Sequence, residues 1–145
     1  MPAQQRATNA AKGLSADEQK AVTQAAAEAR RTSAGKNTEQ DVLDAIAAMD
    51  DTDRAIATGL HALVKRVAPE LTSRTWYGFP AYAKNGKVIL FFQFAGKFKT
   101  RYGHIGFQDT AQLDEGTMWP ISFAVTEIGP VEAERITELV RRAAA

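Results

Sequence analysis

Cysteine is absent from the chain, which excludes disulfides, thiolate metal sites and cysteine nucleophiles. Histidine is scarce. His61 and His104 are the only two, and without a sulfur ligand no pair is spaced for zinc. No apolar run approaches the roughly 20 residues needed to cross a bilayer, so no membrane partner is expected. The opening stretch MPAQQRATNAAKGL lacks the apolar core of a secretory signal, and the cytoplasm is the expected compartment by default. A further absence is local. Between Leu71 and Gln108 there is no aspartate or glutamate, yet Arg74, Lys84, Lys87, Lys97, Lys99 and Arg101 all fall there. The net charge of +1 therefore conceals a basic segment between acidic ones.

What is present suits one domain around one core: 145 residues, 45% of them hydrophobic and 24% charged. Residues 1–13 are small, polar and aperiodic and read as a flexible leader, leaving 14–145 as the domain. Ser15 with Glu18 forms a capping box, so an alanine-rich helix is expected from near Ala16 to about Arg31. Its only bulky apolar residue is Val22, which predicts a peripheral position. Thr38 caps a second helix with Val42, Ile46 and Met49 on one face. Asp50 or Asp51 caps a third, where Ile56, Leu60, Leu63, Val64 and Val67 form a stripe that Pro69 ends.

From Arg74 the period turns extended. RTWYGFPAYAK, the Asn85-Gly86 turn and KVILFFQF read as one β-hairpin, because Asn-Gly supplies the positive φ values of a type I′ turn. Val88 to Phe94 is apolar on both faces and should lie centrally, with cover on each side. KFKTRYGHIGF reads as another strand, with Lys97, Lys99 and Arg101 sharing one face. WPISFAV is a further strand, with Ile121, Phe123 and Val125 on one side. Val131 to Ala143 closes the chain as a helix. The expected fold class is α+β: N-terminal helices, then an antiparallel β-sheet with a C-terminal helix packed on it.

YGFPAYAKNGKVILFFQF, HIGF, the extended ISFAV and a last amphipathic helix resemble, as an ordered set over residues 56–142, the YdhG-like family of small bacterial domains. Phe79 stands where that family usually has methionine, and KFKTRYG is inserted ahead of His104. The resemblance implies the α+β fold. One branch of the family is frataxin-like, which implies an intracellular iron chaperone as an alternative function.

The candidate chemistry divides on charge. An iron carrier would gather carboxylates, and Glu39, Asp41 and Asp44, or Asp50, Asp51 and Asp53, are the candidates, although acids at a helix start also offset the dipole. An anion binder would gather Lys97, Lys99, Arg101 and His104 beside Trp76, Tyr77, Pro80 and Tyr82 at the Gly78–Tyr82 turn. Against this stands a plainer reading, in which lysines on an edge strand only prevent aggregation. No serine stands in a nucleophile elbow and no Gly-rich phosphate loop precedes a helix, so binding is favoured over catalysis. The sequence thus points to a non-enzymatic binding protein that takes an anionic small molecule or a protein segment, without a resident cofactor. Weak nucleic-acid association is a second alternative, disfavoured because such binders usually have a pI above about 9. The expected assembly is a monomer or weak homodimer.

Overall fold

The structure is a computed structural model that describes residues 14–33 and 35–145; the expected leader at 1–13 lies outside the described residues. Three helices come first: α1 (Ala16–Ser33), α2 (Glu39–Ala47) and α3 (Asp51–Val67). Five strands follow: β1 (Thr72–Trp76), β2 (Phe79–Lys84), β3 (Lys87–Gln93), β4 (Gly103–Phe107) and β5 (Ser122–Val125). Helix α4 (Pro130–Ala143) ends the fold. The strands form one antiparallel sheet in the order β1-β2-β3-β4-β5, so the α+β expectation holds. Among the described residues no helix is long and apolar enough to cross a membrane.

The helix starts follow the side chains the sequence offered. The Glu18 amide donates to Ser15 Oγ at 3.1 Å, and the Asp53 amide donates to Asp50 Oδ1 at 2.9 Å. At α2 the Thr38 amide donates to Asp41 Oδ2 at 2.8 Å. That bond, with the Arg31 guanidinium 2.6 Å away, holds the Asp41 carboxyl below its usual range.

The hydrophobic core lies on one face of the sheet. Tyr82, Leu90, Phe92, Ile105, Phe107 and Val125 meet Val42 and Ile46 of α2, the α3 stripe, and Ile136 and Val140 of α4. β3 is central as expected, but the core covers only one of its faces: Phe91 and Gln93, on the other, are half-buried. Val22 is 48% exposed, so α1 does not attach through its one large apolar residue. It buries Ala21 and Glu28 instead, and Glu28 Oε1 accepts from the Gly78 amide at 2.8 Å.

Two further expectations fail. The hairpin arm RTWYGFPAYAK is two strands, and its turn lies at Tyr77–Gly78 rather than across Gly78–Tyr82, because Tyr77 and Gly78 take φ values of 54° and 80° and turn the chain from β1 into β2. Tyr77 is held in this unusual conformation beside Trp76, with the rings 4.9 Å apart edge to face. The second failure is KFKTRYGHIGF. Ala95–Lys97 is a 3₁₀ turn, Lys99 has a φ of 56°, and the strand begins only at Gly103. Lys97, Lys99 and Arg101 therefore do not share a strand face. The cause lies in α3. The buried Asp53 carboxylate accepts from the Ala95 amide at 3.1 Å and from the Gly96 amide at 2.9 Å, which bends the segment away from a ladder.

Candidate functional site

The second face of the sheet is the one from which the core is absent. Register places Arg74 and Trp76 of β1, Phe79 and Ala81 of β2, Phe91 and Gln93 of β3, His104 and Gly106 of β4, and Ser122 and Ala124 of β5 on it. Arg74, Trp76, Phe91, Gln93 and His104 are half-buried there, and Ser122 and Ala124 are exposed. An aromatic strip crosses this face. Trp76 meets Phe91 edge to face at 5.1 Å, and Phe91 lies beside Phe79 at 6.2 Å. Phe94 and Phe98 close over Phe79 at 6.0 and 6.1 Å. Beyond Gln93, the His104 ring stands 5.7 Å from Tyr102, and the Arg101 guanidinium lies over Tyr102 at 4.8 Å.

The two glycines beside His104 have a packing role. A Cβ on Gly103 would stand 2.8 Å from a carbon of the Phe92 ring on the core side, and a Cβ on Gly106 would run into the Phe91 ring on the open side. β4 is thinned on both faces so that neighbouring aromatics lie across it.

The remaining candidates are scattered. Lys97 reaches α1, where its ammonium donates to Gln24 Oε1. Its half-burial lowers its pKa, and the charges of Glu28 and Asp17 partly offset this. Lys99 is exposed and 3.8 Å from Asp17. Pro80 and Tyr82 are fully buried on the core face, so neither lines an open groove. Of the cations, Arg74 and Arg101 flank the aromatic strip; Lys97 and Lys99 belong to the α1 junction. The second trio of candidate metal ligands is likewise engaged. Asp50 caps α3, Asp51 pairs with Arg54, and Asp53 holds the 3₁₀ turn. Among the described residues, no three His, Asp or Glu side chains form a group that could hold a metal ion.

Sequence reasoning missed a buried polar chain. His61 Nε2 lies 2.9 Å from Glu39 Oε1 and Nδ1 lies 2.8 Å from the Tyr82 hydroxyl. The arrangement that satisfies every atom has Nε2–H donating to Glu39 and the Tyr82 hydroxyl donating to Nδ1. Lys65 reaches the other Glu39 oxygen at 3.4 Å. The His61 bond, aided by Lys65 and opposed by desolvation, holds the Glu39 carboxyl below its usual range. Burial, together with the Glu39 charge, pushes the Tyr82 phenol well above its own. The layout is that of a base beside a hydroxyl. Tyr82 has no exposed surface, however, so no substrate reaches that oxygen. The chain ties α2, α3 and the sheet together. The one signal for it in the sequence was a histidine next to Leu60 in an apolar stripe.

Compared with known proteins, the chain matches no family model, no curated protein and no solved structure.

Proposed function

We propose that the open face of the sheet is a binding surface for a small planar anion, received by Trp76 and Phe91 and paired by Arg74, Arg101 and His104. The observation that carries this reading is the strip Trp76–Phe91, with Gln93 and His104 beside it, left half-buried on a face without the core. Aromatic faces offer stacking area to flat ligands, and small-molecule sites combine apolar and aromatic lining with a few placed polar groups. Charge supports the anion: Arg74 lies two residues from Trp76 on the same face, and the sheet segment from Leu71 to Gln108 contributes no carboxylate to oppose it. Among the described residues no hydrogen bond joins a hydroxyl to His104 on this face, and the role proposed is binding rather than chemistry.

Adenosine 5′-monophosphate, with uncharged adenosine as its counterpart, tests the reading. The nucleotide should shift the amide signals of Phe91, Gln93 and His104 and the indole N–H of Trp76 together. Adenosine should do so far more weakly. Added salt should weaken the effect, since exposed charges are screened beyond about 8 Å at physiological ionic strength. Arg74→Glu with Arg101→Glu should lower the affinity at least tenfold while leaving the denaturation midpoint nearly unchanged. Shifts that are absent, or that gather on the helices, would sink the proposal.

A further inference from the structure

The two edges of the sheet are finished differently. On β1 the groups that point outward at Thr75 are both bonded: its amide donates to Asn37 Oδ1 at 3.0 Å, and its carbonyl accepts from Asn37 Nδ2 at 2.9 Å. The Asn37 carboxamide stands in for a neighbouring strand. Among the described residues β5, at the other edge, has no such cover. The Phe107 amide donates to the Ile121 carbonyl at 2.7 Å, and bonded positions alternate along an antiparallel ladder. In the register Ile105↔Phe123 and Gly103↔Val125, the N–H and C=O of Ser122 and Ala124 therefore point away from β4. Both residues are exposed.

Edge strands are ordinarily blunted by charge, proline or a bulge. From Ile121 to Val125 there is no charged residue and no proline, and the β4–β5 register is regular. The surroundings are apolar instead: Ile121 is 53% exposed and Val131 74%. A groove of about 540 Å³, lined by Pro120, Phe123 and Leu139 among others, opens between β5 and α4. Its charged rim carries both signs, Glu115, Glu134 and Glu138 against Arg135 and Arg142, so it is close to balanced and sets no strong preference for an acidic or a basic foreign segment.

We infer that β5 is the interface of a homodimer, in which two copies pair this strand antiparallel about a two-fold axis through Phe123. A contact of this kind must be self-complementary, and β5 is. Aligning it with itself about Phe123 sets Ser122 opposite Ala124 of the second copy and Ala124 opposite its Ser122. Each outward N–H then meets an outward C=O. The open-face side chains at the junction are a serine and an alanine, so nothing bulky stands between the strands. On the other face the exposed Ile121 comes opposite Val125 of the second copy. Because the strand is short, the dimer is a weak one that forms in the micromolar range or above.

Sedimentation of the full chain over a concentration series tests this. The mass should rise from one chain toward two. Ala124→Pro removes an N–H that the monomer does not use, and proline is tolerated at an outward edge position. It should raise the dimer dissociation constant at least tenfold with an unchanged circular dichroism spectrum. A second route uses the absence of cysteine. Opposite non-hydrogen-bonded positions bring Cβ atoms to about 4.5–5.5 Å, so Phe123→Cys should oxidise to a covalent dimer while Thr72→Cys on β1 stays monomeric. If Ala124→Pro fails to fold, the cysteine pair decides. A single-chain mass at every concentration, a dimer indifferent to Ala124→Pro, or equal cross-linking at both edges would overturn the proposal. The first of these is also the result expected if β5 accepts only a foreign strand.

Discussion

Phe92→Ala should cost about 3–5 kcal/mol of folding stability, read as a lower urea midpoint. Phe92 has no exposed surface. It sits on the central strand, pairs with Ile105 across the ladder, and lies against Gly103, where no side chain is present to fill a void. Truncation therefore removes a large apolar group and leaves a cavity that a glycine cannot close and a central ladder resists closing. Val22→Ala on α1 should change stability by no more than about 0.5 kcal/mol, because Val22 is nearly half exposed. The opposite order of effects would move the core elsewhere.

Tyr82→Phe should cost about 1–3 kcal/mol, because it takes from the buried His61 Nδ1 the hydroxyl that donates to it. A double-mutant cycle with His61→Phe should show strong coupling, since loss of both partners removes the unsatisfied atom as well. The same chain has a pH signature. In the folded protein the Glu39 carboxyl is held below its ordinary range, first by the His61 bond. Protons thus bind Glu39 more readily in the unfolded chain. The stabilisation is present above the free carboxylate value of about 4.3 and is lost as pH falls below it. Asp41 acts in the same direction through the Thr38 amide and Arg31. Denaturation midpoints followed from neutral pH to about pH 3 should fall less steeply in Glu39→Gln than in the native chain. Parallel curves would show that Glu39 contributes nothing to the acid limb.

Features carried by neighbouring residues were legible in the sequence. Ser15, Thr38 and Asp50 marked helix starts within a residue, Asn85-Gly86 marked its turn, and the apolar run through β3 announced a central strand, although the core covers only one of its faces. Features that join distant residues were not. Asn37 finds Thr75, Asp53 finds Ala95 and Gly96, and Glu39, His61 and Tyr82 meet from three separate elements; no local pattern encodes such pairings. KFKTRYGHIGF shows the cost. Alternating cations satisfy the period of a strand, but period only states what a strand would do with its side chains. It says nothing about whether a carboxylate some forty residues upstream takes the backbone amides first. Tyr77 is the milder case. A bulky aromatic is a poor guess for a positive φ, and the turn exists because Trp76 and Glu28 hold it from either side. At the candidate site, the residue types were legible and their grouping was not: Trp76 and His104 share a face, whereas Tyr82 points the other way and the lysines leave for α1.

Asn37 has a consequence for how far association proceeds. A sheet with two free margins adds copies at both and grows without limit, which is the geometry of a fibre. Here one margin is already terminated from within the chain, by a side chain that occupies both groups a newcomer would need at Thr75. Two copies joined at β5 would present to a third only margins capped at Thr75, which opposes growth beyond the pair. In that pairing the carboxamide of one asparagine would limit the growth of the sheet.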